Sequence, residues 1–206
     1  MDQQYKAVKD RIRAIIRDRR SNLSESVRTR CADMVSDYLE DYFRNETGLS
    51  PDNIKVASYM PVLGELSTIP FCQKVLNEGG CVLMPKVTGS DVRFYSVTDL
   101  VNDLESGSFG IPEPKDHCPF VDIRDADAVI VPAIAYNDEG IRLGQGGGYY
   151  DRLWEYVGGD SPDRKVIIIG VCYDFQIVSS IPVLEHDMAA DVIIEVESED
   201  LSGGEV

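Results

Sequence analysis

Residues 131–154 read VPAIAYNDEGIRLGQGGGYYDRLW. An apolar run ends near Pro132, a polar turn follows, and glycines at 144, 146, 147 and 148 directly precede a segment with helical spacing. Glycines between a strand and a helix let backbone N–H groups come close to a ligand, because no Cβ intervenes. The helix behind them offers its first amides and the positive end of its dipole. The stretch is therefore a candidate anion cradle. It lacks the G-x-x-x-x-G-K-[ST] pattern of a P-loop. Nor does a strand–helix unit with an acidic residue ~20 positions on follow it, as a dinucleotide fingerprint requires. A bare structural turn accounts for three of the glycines almost as well. Arg142 ahead of them and Tyr149-Tyr150-Asp151-Arg152 behind them make the pattern far more specific.

Outward from this segment, short apolar runs alternate with helical patterns. Strands are expected at 54–59, 81–85, 92–96, 128–133, 166–172 and 192–196, and helices at 68–77 and 149–156. Continuously apolar strands alternating with helices indicate a largely parallel sheet covered on both faces. In such sheets ligands bind beyond the carboxyl ends of strands, where the glycine segment lies.

A helical pair precedes the sheet. In residues 3–20, Tyr5, Val8, Ile12, Ile15 and Ile16 share one face at ~100° per residue and are expected to form its buried seam. Lys6, Lys9, Arg13, Arg17 and Arg20 form a basic stripe beside it. The second helix is expected over 24–45, with Ser24 as N-cap and Val27, Cys31, Met34, Val35, Tyr38 and Tyr42 at helical spacing. The stretch 111–119 reads as a loop. No Pro-, Gly- or Ser-rich linker divides the chain, so 1–206 is expected to be one domain with a frayed tail at 201–206.

Composition narrows the function. The net charge of −16 argues against general binding to nucleic acid or to an anionic membrane. The first twenty residues oppose that balance, with seven cations against three anions. A local basic patch on so acidic a chain suits a small anionic ligand, although charge alone is equally met by a solvated helix face. The five cysteines are odd in number and contain no C-x-x-C pair, which excludes a disulfide framework or structural zinc as the organising feature. Cys118 reads as a bland loop cysteine. No apolar run approaches the ~20 residues of a membrane span, and the N-terminus lacks the apolar core of a secretory signal. A cytoplasmic protein is expected.

The segment Arg142-Leu143-Gly144-Gln145-Gly146-Gly147-Gly148-Tyr149-Tyr150-Asp151-Arg152 resembles the signature of the 5-formyltetrahydrofolate cyclo-ligase family. Three further segments match that family in the same order. They are Lys9 with Arg13, Tyr59-Met60-Pro61 through Gly64-Glu65 to Thr68, and Pro182-Val183-Leu184-Glu185-His186-Asp187 followed by Asp191. The resemblance spans nearly the whole chain. It implies a doubly wound sheet of the sugar-phosphate isomerase and CoA-transferase type with the helical pair packed on it. It also implies an enzyme that closes 5-formyltetrahydrofolate to 5,10-methenyltetrahydrofolate with ATP and Mg²⁺, releasing ADP and phosphate.

Carried over residue by residue, the resemblance implies that Lys9, Arg13, Arg142, Gly144, Gly146, Gly147, Gly148, Tyr149 and Tyr150 bind ATP. Arg142 and Tyr150 would also act in catalysis. Met60, Glu65, Gln145 and Tyr149 would line the folate site, and Asp151 and Asp187 would hold Mg²⁺. His186 is given a structural role. Partners would be small molecules only, and the chain is expected to be a monomer. The sequence departs from the family at Gly147, where many members carry Lys, and at Ala133 and Asn137, where Gly and Asp are frequent. Compensating charge would then come from Lys9, Arg13, Arg142 or Arg152. Two other readings stay open at this level: a phosphosugar isomerase or CoA transferase on a similar fold, and a nucleotide- or folate-binding protein without turnover.

Overall fold

A computed structural model describes residues 2–89, 91–182 and 188–198. Four helices are present among them: α1 (Asp2–Asn22), α2 (Glu25–Tyr42), α3 (Ile69–Glu78) and α4 (Tyr149–Val157). The strands are β1 (Lys55–Ala57), β2 (Cys81–Thr88), β3 (Asp91–Val97), β4 (Leu104–Ser106), β5 (Pro112–Pro114), β6 (Phe120–Val121), β7 (Ala128–Pro132), β8 (Ala135–Tyr136), β9 (Arg142–Leu143), β10 (Ile167–Tyr173) and β11 (Val192–Val196). All six expected strands and four expected helices are there, with ends shifted by a few residues. The short strands β4, β5, β6, β8 and β9 were not apparent from the apolar pattern, and β5 lies inside the stretch read as loop.

The main sheet runs β11-β10-β7-β1-β2-β3-β6. From β11 to β2 every pairing is parallel; β3 and β6 extend the edge antiparallel. Successive residues of a strand face opposite sides, and β7 shows the consequence. Ala128 and Ile130 enter the core that contains Val35, Leu39, Phe71 and Val75 of α2 and α3. Val129 and Val131 enter the core that contains Leu153, Trp154 and Val157 of α4. Both faces are covered, so the strand has no polar position.

The winding reverses once. From β1 the chain proceeds through α3 to β2 on one side, whereas β7, β10 and β11 build outward on the other. Connections therefore leave β1 and β7 in opposite directions and open a crevice beyond their carboxyl ends.

Helix α2 starts as expected, with Ser24 Oγ accepting from the Val27 amide at 3.3 Å. A wide helical turn, Phe43–Thr47, follows it and stacks Phe43 on Phe71 of α3 at 5.7 Å. Helix α1 departs from expectation. Tyr5, Val8 and Ile15 are exposed, and Ile15 keeps half of its surface. The docked face consists of Lys9, Ile12, Arg13, Ile16 and Arg20, which are buried or half-buried. The reason is what α1 packs on: Ile12 and Ile16 of the expected seam meet the apolar core, while beside them polar loops at the mouth of the crevice present carbonyls that need donors. Asp191, from the last family-like segment, serves structure: it pairs with Arg164 at 2.5 Å and accepts from the Ile168 amide at 2.7 Å. No helix among the described residues is long and apolar enough to cross a membrane.

These placements separate core from surface. Ile130→Ala, at a fully buried site, is expected to lower the unfolding free energy by about 2–5 kcal/mol in urea titrations. Ile15→Ala is expected to change it by no more than about 0.5 kcal/mol. A large loss at Ile15 would restore the apolar seam.

Candidate active site

The crevice is framed by the loops that follow β1 and β7. After β1, the Ser58 hydroxyl hydrogen-bonds the Thr68 hydroxyl at 2.7 Å, closing the base of the first loop. The Tyr59 hydroxyl donates to the Leu66 carbonyl within the same loop. The turn between them turns Glu65 inward, with its amide donating to the Val62 carbonyl at 2.9 Å and its Oε2 accepting from the Val62 amide at 3.2 Å. Glu65 is 8% exposed. Met60 lines the crevice beside it.

After β7 the chain makes the β8–β9 hairpin, pairing Ala135 with Leu143 and Tyr136 with Arg142. Asn137 holds its turn through Oδ1, which accepts from the amides of Glu139 at 3.2 Å and Ile141 at 2.8 Å. The hairpin delivers Arg142 to the crevice. Its Nε donates to the Pro132 carbonyl at 2.7 Å, and its guanidinium lies 4.6 Å from the Tyr150 ring centroid. Its terminal nitrogens make no hydrogen bond to any described residue. The glycine loop then crosses the crevice. Gly146 (φ 103°) and Gly148 (φ 67°) adopt the left-handed conformation that a side chain disfavours. Gly148 is the N-cap of α4, so the first-turn amides of that helix open at the end of the loop.

The basic stripe of α1 clamps this loop. Arg13 Nε donates to the Gly144 carbonyl at 3.0 Å, and Arg17 Nη2 to Gln145 Oε1 at 2.6 Å. Gln145 Nε2 reaches Glu65 Oε1 at 3.4 Å. Arg20 is 1% exposed; its Nη2 donates to the Ala133 carbonyl, and its Nη1 lies 4.0 Å from Glu65 Oε1. Burial raises the Glu65 pKa, and the Val62 amide and Arg20 oppose that rise. Burial lowers the Arg20 pKa, opposed chiefly by Glu65. An arginine keeps its proton in any such environment, so the pair amounts to a guanidinium whose charge opposes the rise that burial imposes on the carboxyl group.

Lys9, Arg13, Met60, Glu65, Arg142, Gly144, Gln145, Gly146, Gly147, Gly148, Tyr149, Tyr150 and Asp151 all line one cleft of about 400 Å³. Asp187, with His186 and the rest of 183–187, lies outside the described residues. Arg152 stands over Tyr149 at 5.1 Å and donates from Nη2 to the Gly147 carbonyl at 3.3 Å. Gln145 is held between Arg17 and Glu65, so its first role is to couple the two loops. Asp151, in the first turn of α4, accepts no hydrogen bond from any described residue. A carboxylate oxygen open to a cleft lined by cations suits a hard divalent cation.

The wall built by β2, β3 and the segment around β5 was not anticipated. It contributes Pro85, Val87, Val92, Ile111 and Glu113. The valines carry no mark that separates a ligand wall from a core position. Glu113 stands between two prolines with Lys115, Asp116 and His117 close behind, a context that does not mark it as buried.

Fold and cleft together define a class: a doubly wound α/β protein with a glycine-rich loop crossing a cleft at its switch point. Comparison with known proteins makes this specific. The model of the 5-formyltetrahydrofolate cyclo-ligase family matches residues 5–196, and the chain belongs to that family. It is 28% identical over 186 residues to the 5-formyltetrahydrofolate cyclo-ligase of Mycolicibacterium smegmatis, covering 88% of this chain and 90% of that one. It is 29% identical over 151 residues to that of Escherichia coli K12, covering 68% and 76%. Among solved structures, Aquifex aeolicus 5,10-methenyltetrahydrofolate synthetase superposes with a TM-score of 0.75 at 33% identity, over 94% of this chain and 91% of that one. The Mycoplasma pneumoniae synthetase shares the fold, with a TM-score of 0.69 at 21% identity over 90% and 97%.

If Arg13 is a clamp, removing it should loosen the loop without unfolding the protein. Arg13→Ala is expected to speed hydrogen exchange of the 144–148 amides by about tenfold, the worth of one charge-assisted hydrogen bond. The melting temperature should stay nearly constant. Unchanged exchange would mean that the loop holds its own shape.

Proposed function

We propose that this chain closes 5-formyltetrahydrofolate to 5,10-methenyltetrahydrofolate, consuming ATP and releasing ADP and phosphate. The observation that carries the reading is the pairing of Arg142 and Asp151 across one glycine loop. Among the described residues, a cation's terminal nitrogens and an anion's oxygens both open into the cleft without a hydrogen-bond partner. That is the donor set a metal-bound polyphosphate requires.

The chemistry explains why ATP is needed. The N5-formyl group is an amide, so its carbon is a poor electrophile and its oxygen a poor leaving group. Transfer of the γ-phosphoryl to that oxygen gives an imidate phosphate. N10 then adds to the activated carbon and sheds its proton, and the C–O bond breaks to release phosphate as the ring closes. Phosphoryl transfer depends on positioning and charge neutralisation. The amides of 144–148 and of the first turn of α4 receive phosphate oxygens, with Lys9 and Arg13 at their flank. Arg142 meets the transferred group, and Tyr150 fixes the plane of its guanidinium. Asp151, with Asp187, would hold Mg²⁺, which supplies positive charge against the phosphates. Met60 and Glu65 border the N5 region, and Tyr149 lies where the two substrates meet. The reading is completed by a monomer acting on small molecules in the cytoplasm; the net charge of −16 disfavours nucleic acid and anionic membrane as partners.

Methenyltetrahydrofolate absorbs in the near ultraviolet where the substrate barely does, so the assay is direct. Purified protein with 5-formyltetrahydrofolate, ATP and Mg²⁺ is expected to develop that band, and to lose it with EDTA or without ATP. Folded protein that produces no band under any condition sinks the proposal. Asp151→Ala should lower turnover at least ~100-fold; wild-type rates would remove Asp151 from the metal site. Gly147 has no left-handed φ, and a Cβ there would stand 3.0 Å from Cδ2 and Cε2 of Tyr149, so Gly147→Lys restores the cation frequent in the family at the cost of a small shift of that ring. It is expected to lower the KM for ATP roughly fivefold, and an unchanged KM would show that Lys9, Arg13 and Arg142 already suffice.

A further inference from the structure

Glu113 is the second buried carboxylate of the cleft, and it differs from Glu65 in what it leaves open. It is 6% exposed and sits on β5, in the wall that includes Val87, Val92 and Ile111. Its Oε1 accepts from the amides of Val87 at 3.3 Å and Ser108 at 3.1 Å. Its Oε2 accepts nothing, and no cation pairs with the group, among the described residues. Both oxygens of Glu65, by contrast, have protein partners. The side chain is also held in place from behind. A Cβ on Gly107 would stand 2.3 Å from Glu113 Cδ and 2.5 Å from Oε2, so the backbone closes on one side and the cleft is the side that remains.

A carboxylate buried this deeply needs more donors than two amides on one oxygen. Oε2 is not among the sealed side-chain atoms that lack a partner, so solvent reaches it from the cleft. A ligand that takes the solvent's place there must be flat and apolar on its faces, to lie against the valines, and must present adjacent N–H groups at its edge. Of the two substrates in the proposed reaction, one qualifies. The pyrimidinone edge of a reduced pterin carries a 2-amino group beside N3–H, two neighbouring donors. The adenine edge carries a 6-amino donor beside the N1 acceptor, whose lone pair would face the carboxylate.

We propose that Glu113 is the specificity-determining residue for the pteridine end of the folate, with Oε2 accepting from its 2-amino and N3–H groups. This rests on the cyclo-ligase reading. It places the pteridine ring against the β2–β3 wall and leaves the formyl oxygen to point toward the glycine loop. It also gives the cleft a device that keeps ATP from occupying the folate end.

The test compares 5-formyltetrahydrofolate with its 2-desamino-2-methyl analogue, which keeps the ring and loses the amino donors. With wild-type protein the analogue is expected to show a KM about 30-fold higher, with the KM for ATP unchanged. Glu113→Ala should raise the KM for 5-formyltetrahydrofolate by a similar factor and treat the two compounds alike, within about threefold. A purely structural role would not erase that discrimination. Gly107→Ala, which presses a methyl group on the carboxylate, should shift the KM in the same direction. Should Glu113→Ala fail to fold, the wild-type comparison still decides. Equal use of both compounds by the wild type overturns the proposal, as does discrimination that survives in Glu113→Ala. Wild-type protein that neither turns over 5-formyltetrahydrofolate nor binds it in calorimetry overturns the cyclo-ligase reading, and this proposal with it. Turnover without discrimination overturns the role of Glu113 alone.

Discussion

One guanidinium joins the three segments that make the cleft. Arg20 leaves α1, donates to the Ala133 carbonyl after β7 and lies 4.0 Å from the carboxylate of Glu65 after β1. The loop 59–66 packs against its stem so closely that a Cβ on Gly64 would stand 3.2 Å from Arg20 Cβ. Two of its nitrogens, Nε and Nη1, have no hydrogen bond among the described residues. A buried cation so incompletely satisfied contributes little to stability by itself. Its effect is to make the positions of the two loops depend on each other and on the helix. The same carbonyl of Ala133 also accepts from Gln176 Nε2 at 2.9 Å, which ties the turn after β10 into the arrangement.

The sheet was legible because its signal is local. A strand buried on both faces must be apolar at every position, and 128–132 and 167–172 carry that requirement in the residues themselves. The glycine loop was legible for a similar reason, since positive φ and close approach select glycine at particular positions. The burial of α1 was misread because apolar periodicity assumes an apolar partner. Here the partner is the apolar core beneath Ile12 and Ile16 together with loop carbonyls beside it, so those two isoleucines share the docked face with Lys9, Arg13 and Arg20. Glu113 was missed because its donors, at Val87 and Ser108, become neighbours only through the pairing of β4 with β5 and the packing of that ribbon on β2. Nothing adjacent in the chain marks an acid as buried.

Charge is likewise divided by place. The chain carries −16 overall, yet its N-terminal helix is basic. The acidic remainder discourages long polyanions from binding. The helix concentrates positive charge at the crevice, where a small anion can enter. Much of that charge is spoken for by carbonyls and side-chain oxygens, as the bonds of Arg13, Arg17 and Arg20 show.

Those bonds bear on the cost of binding. A peptide unit is planar, so a carbonyl fixed on one side aims the following N–H toward the other. Arg13 fixes the carbonyl of Gly144, and Arg152 that of Gly147. The amides of Gln145 and Gly148 are thereby oriented before any anion arrives. Electrostatic work that a flexible loop would do by rotating its dipoles at each encounter is completed here once, when the chain folds. For the anion proposed to bind there, the loop would act less like a hand that closes than like a fixed field into which a charge moves.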